Sequence, residues 1–342
     1  MKRVSSKRFV RVLAVMAVVF AAALAAWPAW AAETPDLSSF KVPGAENQTY
    51  YINVFLTGVE FWKGVYDGFK AAADQLGVKV EYGGTPEYDA TLQVTSFEQM
   101  LAKKPAGICT HPISESNLTD SIDKAAELGV PVATMYIDAP DSARIGFWGT
   151  DTTIEGEYAA DLLVKAIGES GEIAIIERPQ ENVARRITAF KTKLEKSYPN
   201  IKIVASGFAE GDQTKATELT AQMLQAHPNI KGMVAFSAVE AVGAIVAKEE
   251  TGSDMAIITY ELEPAVIDAI REGKVYATIG HDSFSNGYWS LVALYCSYNK
   301  LNNSYTNDWS LNRAYTPTPI INIFDNLVVT KENVDHIKTP EW

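Results

Sequence analysis

Three side chains in the second half of the chain are of types that do acid, base or nucleophilic chemistry: Ser237, Glu261 and His281. Glu261 and His281 could form an acid/base pair, and Ser237 could act as a nucleophile. Ser237 stands in Phe-Ser-Ala, however, and not in the Gly-x-Ser-x-Gly turn that exposes a catalytic serine. The 4 histidines show neither His-x-His nor His-x-x-x-His spacing, which argues against a metal site. We therefore expect a protein that is not an enzyme and uses no metal and no cofactor.

The elements that would position these side chains follow a regular alternation. Short apolar runs typical of strands alternate with segments of helical periodicity, beginning with a strand over 50–55. The next helix has one apolar stripe, formed by Trp62, Val65, Phe69, Ala73 and Leu76. A later helix has a similar stripe, formed by Val183, Ile187, Phe190, Leu194 and Tyr198. This alternation predicts an α/β fold with parallel sheets and helices on both faces.

One stretch of the chain occurs twice. Residues 78–101 align without a gap with residues 201–224, across a predicted strand, a loop and a helix. The alignment matches Asp89 with Asp212, and we expect both aspartates to cap the helix that follows. A chance likeness between two amphipathic β/α units is the alternative, which the ungapped register disfavours. Because the copies lie much further apart than solenoid repeats, we predict two similar α/β lobes with a ligand cleft between them.

Ligands of open parallel sheets bind at the carboxyl ends of the strands. The residues directly after each predicted strand are therefore the candidates for a binding site. They occupy 56–62, 110–112, 136–138, 149–151, 177–186, 208–212, 236–238, 260–261 and 280–282.

The N-terminus has the features of a secretory signal peptide over residues 1–31. Residues 1–11 carry five basic residues and no acid, an apolar run follows, and Ala29-Trp30-Ala31 fits a small-x-small cleavage site. The apolar run of about 16 residues is short against the ~20 that span a membrane, which disfavours a transmembrane anchor. A twin-arginine export signal is a weaker alternative, because one arginine of the pair is missing. We expect export to the periplasm and cleavage near Ala31.

Charge and cysteine content restrict the partners further. Without the five basic residues of the predicted signal, 25 basic residues face 42 acidic ones, a net charge near −17 with histidine neutral. Such a surface repels nucleic acid and anionic lipid, so we expect neither as a partner. Cys109 lies in an apolar strand and Cys296 in an apolar helical pattern. We expect two buried free thiols, with a single disulfide as the alternative.

Several segments together carry a likeness to one family. In chain order they read FWKGVYDGFKAAADQLGVKV, KAAELGVPVATMYIDAPDSARIGFWGTD, RRITAFKTKL, AEGDQTKATELTAQMLQAHPNIKGMVAF, VIDAIREGKVYATIGH and IFDNLVVTKENVDHI. Their order and spacing resemble the sugar-binding periplasmic proteins of the ribose/galactose-binding type, which are type I periplasmic binding proteins. The resemblance extends over about residues 50–331.

The resemblance implies a definite architecture. Two doubly wound parallel-sheet lobes would be joined by three chain crossings, near Thr150, near His281 and after about Asn302. The first lobe would comprise residues 46–150 plus 282–302. The second would comprise residues 151–281 plus 303–342.

The resemblance also implies which side chains bind a ligand. Phe61 and Trp62 fall where the family stacks aromatic rings on the face of a sugar, although Trp62 could instead belong to the core. Arg186 falls on the family's ligand-binding arginine, whose forked donors suit hydroxyl or carboxylate oxygens, and Arg185 is the competing candidate.

Two further positions differ in residue type from the family. Glu261 stands where the family usually has an aspartate after an aromatic residue, here Tyr260, and can accept hydrogen bonds from ligand hydroxyls. His281 stands where glutamine is common, and it can still donate and accept.

Other departures remove polar anchors. Tyr136, followed two residues later by Asp138, replaces an aspartate and its polar neighbour, and Ser237 precedes an alanine where the family has Asn-Asp. Each ligand hydroxyl left unpaired costs ~1–3 kcal/mol. We therefore expect a less polar, more aromatic cleft suited to a deoxy-sugar, a small polyol or an organic acid steered to Arg186.

The function implied is a non-enzymatic, monomeric receptor that captures a small polar solute, a sugar or a sugar-like molecule, and delivers it to an ABC transporter permease. The alternatives are a periplasmic sensing module for a membrane kinase or chemoreceptor, and a receptor for a less hydroxylated, non-sugar solute. Transport and sensing use the same ligand-bound surface, so the sequence does not separate them.

Overall fold

The computed structural model of the protein describes residues 41–301 and 319–337. The predicted signal peptide with its cleavage site, and the segments 302–318 and 338–342, lie outside the described residues. Within the described ranges, no helix has the length and apolar character needed to cross a membrane.

Strands and helices alternate as the sequence pattern predicts. The strands are β1 Thr49–Phe55, β2 Lys79–Thr85, β3 Gly107–Thr110, β4 Val132–Met135, β5 Gly146–Gly149, β6 Gly171–Glu177, β7 Ile201–Phe208, β8 Ile230–Ala235, β9 Ala256–Tyr260, β10 Ala277–Gly280, β11 Ile321–Ile323 and β12 Leu327–Thr330. The helices are α1 Phe61–Leu76, α2 Ala90–Ala102, α3 Thr119–Glu127, α4 Thr152–Ile167, α5 Glu181–Ser197, α6 Gln213–Ala226, α7 Ala238–Thr251, α8 Pro264–Arg271 and α9 Ser283–Tyr298. Short 3₁₀ turns lie at Ala45–Asn47 and Val334–His336.

The strands form two sheets of the same topology. The first has the order β11-β5-β4-β3-β1-β2, and the second has the order β12-β10-β9-β8-β6-β7. All neighbours are parallel except β12, which is antiparallel to β10. Five consecutive strands of each sheet therefore follow the doubly wound order 2-1-3-4-5. The prediction of an α/β fold with two like lobes is confirmed.

The internal repeat corresponds to β2 with α2 in the first lobe and to β7 with α6 in the second. Asp89 accepts a hydrogen bond from the backbone N–H of Leu92 at 2.8 Å, and Asp212 accepts one from Lys215 at 2.8 Å. Both aspartates satisfy an otherwise unpaired N–H at a helix start, which confirms their predicted capping role.

The chain passes between the lobes three times within the described residues. The first two crossings, between β5 and α4 and between β10 and α9, lie near Thr150 and His281 as predicted. In each, an aspartate caps the helix that begins on the other side: Asp151 for α4 and Asp282 for α9. Helix α9 then packs against α1, where a Cβ on Gly287 would lie 1.9 Å from the carbonyl oxygen of Val65. This close approach fixes α9 in the first lobe.

The third described crossing lies between β11 and β12, later in the chain than the predicted point after about Asn302. The predicted boundary also assigned all of 303–342 to the second lobe, whereas β11 pairs with β5 of the first sheet. Without β11, the backbone of β5 would be an unpaired sheet edge. The Phe147 N–H donates to Ile320 O, and the Phe324 N–H donates to Gly149 O, both at 2.8 Å.

Candidate functional site

Aromatic side chains of the first lobe meet at the carboxyl ends of its strands. Phe61 and Trp62 are the first residues of α1, while His111 follows β3 and Tyr136 follows β4. The ring centroids of Phe61 and Tyr136 are 5.0 Å apart, and those of Trp62 and His111 are 4.8 Å apart. Phe55, at the end of β1, lies 4.7 Å from His111. We call these five residues the aromatic cluster.

The two predicted aromatic residues at the start of α1 differ in their surroundings. Trp62 is 5% exposed, and its Nε1–H donates to the Phe55 carbonyl oxygen at 3.1 Å. Phe61 is half-buried and lies 6.2 Å, between ring centroids, from His281 at the second crossing. Phe61 therefore presents its ring toward the cleft, whereas Trp62 supports it from within the lobe.

Several polar atoms in and beside the aromatic cluster are buried without a partner. Within the described ranges, no hydrogen bond is made by either ring nitrogen of His111, by the Tyr136 hydroxyl or by Nδ1 of His281. Burial lowers the pKa of His111 to about 3, so its ring is neutral and carries one donor and one acceptor. Burial also raises the pKa of Tyr136 well above its ordinary value, so its hydroxyl keeps its proton. Each unpaired atom lowers the free energy of unfolding of the ligand-free protein, because burial removes its hydrogen bonds to water.

Tyr136 and Glu261 occupy equivalent positions in the two lobes. They follow β4 and β9, the fourth strand of each lobe, and both have a left-handed backbone, with φ of 58° and 72°. Each N–H donates to the neighbouring fifth strand, Tyr136 to Trp148 O at 3.0 Å and Glu261 to Ile279 O at 2.9 Å. Non-glycine residues with this strained conformation cluster at ligand sites. The internal repeat thus extends to the cleft-facing turns.

On the second lobe, Arg186 is buried at the centre of a charged group. Its Nε–H donates to Glu155 Oε2 at 2.5 Å, and its Cζ lies 4.1 Å from the ring centroid of Tyr260. Glu155 Oε1 lies 3.0 Å from Nε2 of His281, and the Tyr260 hydroxyl donates to the Glu155 carbonyl oxygen at 3.1 Å. The group therefore ties α4, α5, β9 and the second crossing together.

The protonation states of this charged group follow from its contacts. Burial alone would raise the pKa of Glu155, but Arg186 and His281 lower it to about 2, so Glu155 is a carboxylate. Since a carboxylate only accepts, Nε2 of His281 must carry the proton that it donates to Glu155. Nδ1 of His281 has no partner among the described residues, so it can form a hydrogen bond with a ligand hydroxyl.

Close helix packing brings Glu155 to Arg186. Gly156 lies where α4 crosses α5, and a Cβ there would be 2.2 Å from the Arg186 carbonyl oxygen. A larger residue would push α4 away and lengthen the contact between Glu155 and Arg186. The glycine next to Glu155 is therefore part of what positions the charged group.

Ser237, Arg178 and Glu240 form a second polar group of the same lobe. Arg178 Nη1 donates to Ser237 Oγ at 3.1 Å and lies 3.4 Å from Glu240 Oε2, to which Ser237 also hydrogen-bonds. The hydroxyl of Ser237 thus donates to Glu240 and accepts from Arg178, and it lies with these two residues rather than against His281. Within the described ranges, no cluster of three His, Cys, Asp or Glu side chains is arranged to hold a metal ion.

A cavity of about 500 Å³ lies beside these groups at the hinge, and we call it the hinge cavity. Three of the predicted residues line it: Phe61, Glu261 and His281. One oxygen of Glu261, Oε2, accepts from the Ala238 N–H at 2.6 Å and so caps α7. Burial, followed by the charge of Glu261, raises the pKa of Glu263 to about 8. The wall of the cavity is acidic, with Glu60, Asp282 and Asp325 as further members.

The structure therefore brings together most of the residues that the sequence selected. Phe61, Trp62, Tyr136 and His281 lie within one set of ring contacts, and Arg186 touches His281. Asp138 has a separate task, because it forms an ion pair with Arg144 and accepts from Thr134 at 2.9 Å. Its role as a ligand-binding residue stays a prediction.

Arg185, the competing candidate to Arg186, joins the lobes instead. It is 52% exposed and pairs with Glu115 of the first lobe and, at 3.0 Å, with Glu181 of its own helix. The Glu115 N–H also donates to Glu181 Oε2 at 3.1 Å. These contacts cross the cleft at its surface.

His111 lies within the strand-end range 110–112 but was not among the ligand-binding residues that the family resemblance implied. Glu155 was missed altogether. Glu155 stands on the buried stripe of α4 with Ala159 and Leu163, and a charged residue on an otherwise apolar stripe is the signal that could have found it. Cys109 and Cys296 are both buried free thiols, as expected.

The sequence profile described as periplasmic binding protein domain matches residues 50–296. This chain belongs to the periplasmic binding protein family, as a solute-binding protein with two like α/β lobes.

Individual relatives support this assignment. The chain is 34% identical to the solved sugar-binding protein of a sugar ABC transporter from Bacillus halodurans, with a TM-score of 0.77 over 84% of this chain and 99% of that one. It is 32% identical to AraP, an arabinose-binding protein from Geobacillus stearothermophilus, with a TM-score of 0.73 over 85% of this chain and 99% of that one. It is 29% identical to the D-allose-binding periplasmic protein of Escherichia coli, over 65% of this chain and 75% of that protein.

Proposed function

We propose that this protein captures a small polar solute, a sugar or a sugar-like ring, between its lobes and delivers it to an ABC importer. The observation that carries the proposal is the set of unpaired polar atoms on His111, Tyr136 and His281, which lie among aromatic rings at the strand ends. An apolar ligand would leave these atoms unpaired, whereas ligand hydroxyls can pair with them.

Each part of the site contributes one kind of contact. Phe61 packs its ring against the C–H face of the solute, supported by Trp62. His111 and Tyr136 both donate and accept, and Nδ1 of His281 offers a further hydrogen bond. Arg186 donates from the opposite lobe. Such a site has fewer polar anchors than a solute rich in hydroxyls needs, so we favour a pentose, a deoxy-sugar or a small polyol.

The contacts across the cleft support a capture mechanism. The pairing of Glu115 with Arg185 and Glu181 holds the two lobes together at the surface, and a bound solute would be enclosed behind it. Closure of two lobes around a ligand creates the surface that a permease recognises. The similarity to the sugar-binding protein of the Bacillus halodurans sugar ABC transporter favours import over a sensory role.

Five further points belong to the same proposal. The protein acts without catalysis, as a monomer, and without nucleic acid, given its acidic surface. Its basic and apolar N-terminus directs export, with cleavage near Ala31. The mature chain then works in the periplasm.

A thermal-shift screen of the mature protein tests the proposal. The panel contains D-allose and arabinose, suggested by the relatives, with D-ribose, D-xylose and a deoxy-sugar. At least one of them should raise the melting temperature of the wild type, since a ligand that binds only the folded state stabilises it. Tyr136→Phe should reduce the shift, while Tyr158→Phe, an exposed tyrosine on α4, should not. If no solute shifts the wild type, the proposal is wrong.

A further inference from the structure

We propose that Glu155 sets the charge class of the solute: by neutralising Arg186 it restricts the cleft to uncharged sugars and excludes sugar acids. The inference rests on the proposed function, in which the solute binds between the lobes beside Arg186. It makes Glu155 a positioning residue that determines specificity without standing at a strand end.

Both carboxylate oxygens of Glu155 form hydrogen bonds within the protein. Oε2 accepts from Arg186 Nε at 2.5 Å, and Oε1 accepts from His281 Nε2 at 3.0 Å. Glu155 is 0% exposed and Arg186 is 3% exposed. Because an uncompensated buried charge is very costly, the pair stays together, and it presents no net charge to the cleft.

The free part of Arg186 suits a hydroxyl better than a carboxylate. An arginine binds a carboxylate most strongly through two parallel N–H bonds. Glu155 already occupies the Nε edge, and Tyr260 covers one face. Glu155 meets Nε and His281 lies next to Nη2, so Nη1 can still donate to a neutral oxygen. A ligand carboxylate would bring a second negative charge to an arginine that is already neutralised.

The hinge cavity gives an independent reason for excluding anions. Glu261 and Glu263 line it next to His281, so carboxyl groups flank the same side of the cleft. Burial, and then the charge of Glu261, raises the pKa of Glu263 to about 8, so this region already disfavours a further negative charge. Repulsion from Glu261 adds to the loss of a free arginine charge.

Helix packing alone does not explain why a glutamate occupies position 155. It interrupts a buried helix stripe whose next members, Ala159 and Leu163, are apolar. Replacing a buried ion pair by apolar residues of similar size is often neutral or stabilising, so the pair is weak support for a purely structural role. Its position beside the cleft instead favours a role in ligand selection.

Two matched pairs of sugars test the proposal: D-xylose with D-glucuronate, and L-arabinose with D-galacturonate. In each pair the acid adds a carboxylate to the same ring arrangement. Titration calorimetry compares the wild type with Glu155→Gln and with the control Glu157→Gln, which changes an exposed residue of the same helix. The wild type and control should prefer the neutral sugar by about 100-fold, and Glu155→Gln should narrow this preference to about 10-fold or less.

Dilute sulfate provides a readout that needs no sugar. Melting temperatures are measured in sodium sulfate and in sodium chloride of equal ionic strength. Glu155→Gln should gain a sulfate-specific rise, because Arg186 then has an uncompensated charge, while the wild type and Glu157→Gln should not. The double variant Glu155→Leu/Arg186→Met should lose the rise again.

The outcomes separate the two proposals. If a folded Glu155→Gln shows neither the altered preference nor the sulfate effect, the role of Glu155 is overturned. If sulfate stabilises that variant but no sugar binds any protein, the neutralisation of Arg186 by Glu155 is supported, whereas the sugar-binding function and the sugar selectivity that rests on it fail. If Glu155→Gln does not fold, measurements on the wild type decide. The proposal is overturned if the wild type binds a sugar acid as tightly as the matching neutral sugar, or if sulfate stabilises it more than chloride does. If the wild type shows neither effect, the proposal is supported.

Discussion

Replacing His111 by phenylalanine should stabilise the ligand-free protein and weaken ligand binding at the same time. The imidazole is buried in the aromatic cluster, and neither ring nitrogen has a partner within the described ranges. A buried polar group without a hydrogen bond costs about 1–3 kcal/mol. Phenylalanine has a similar shape and no polar atom, so the free energy of unfolding at neutral pH should rise by about 1–2 kcal/mol. The ligand would lose a hydrogen bond, and its affinity should fall about 10-fold.

The same variant should flatten the acid side of the stability profile. Burial lowers the pKa of His111 to about 3, from an ordinary value near 6.5. Because the folded pKa is the lower one, the unfolded chain takes up the proton first. The contribution of neutral His111 to the free energy of unfolding is therefore fully present above about pH 6.5, and it is lost as the pH falls toward 3. Between pH 7 and pH 5, protonation of His111 in the unfolded chain lowers the free energy of unfolding by about 2 kcal/mol. The variant His111→Phe should not show this decrease.

Urea unfolding of ligand-free protein at both pH values checks the stability, and titration calorimetry checks the affinity. The control is His336→Gln, an exposed histidine in the closing 3₁₀ turn. A His111→Phe protein that is less stable than the wild type and keeps its affinity would contradict the reasoning. That result would mean that the imidazole has a hydrogen-bond partner within the protein.

Other substitutions test the remaining contacts. Arg186→Met leaves the buried Glu155 without its arginine partner, so urea unfolding should show a loss of about 3–5 kcal/mol, and a loss below about 1 kcal/mol would contradict the buried pair. Trp62→Ala should cost about 3–5 kcal/mol in the same assay because its side chain belongs to the core. Phe61→Ala should instead act mainly on ligand affinity, and equal stability losses for the two aromatic variants would contradict this division. Arg185→Ala removes an exposed ion pair and should change the unfolding free energy by only ~0–1 kcal/mol, whereas a larger loss would show that the lobes depend on this contact.

The elements and the architecture could be predicted because they follow from short-range patterns. The apolar stripe of α1 is buried as its spacing predicts, and Asp89 and Asp212 cap helices in both copies of the repeat. The position of β11 could not be predicted in this way, because its partner β5 is far away in sequence. Only pairing across that distance decides which lobe a three-residue strand joins.

The site was predictable to the extent that it lies at strand ends. Tyr136, Arg186 and His281 were selected by that rule together with the family resemblance. Glu155, the partner that decides their chemistry, was not selected. It stands inside a helix and contacts His281, which is 126 positions away in the sequence. The close packing at Gly156 that permits the contact is a property of two helices and not of a motif.

Titration calorimetry of the wild-type protein with neutral pentoses and hexoses shows directly whether the cleft captures a sugar. We expect saturable binding of at least one such sugar at one site per chain, with the affinity lowered by Tyr136→Phe and abolished by Arg186→Ala. Absence of saturable binding across the panel, or binding that both variants leave unchanged, would contradict capture of the solute at this site.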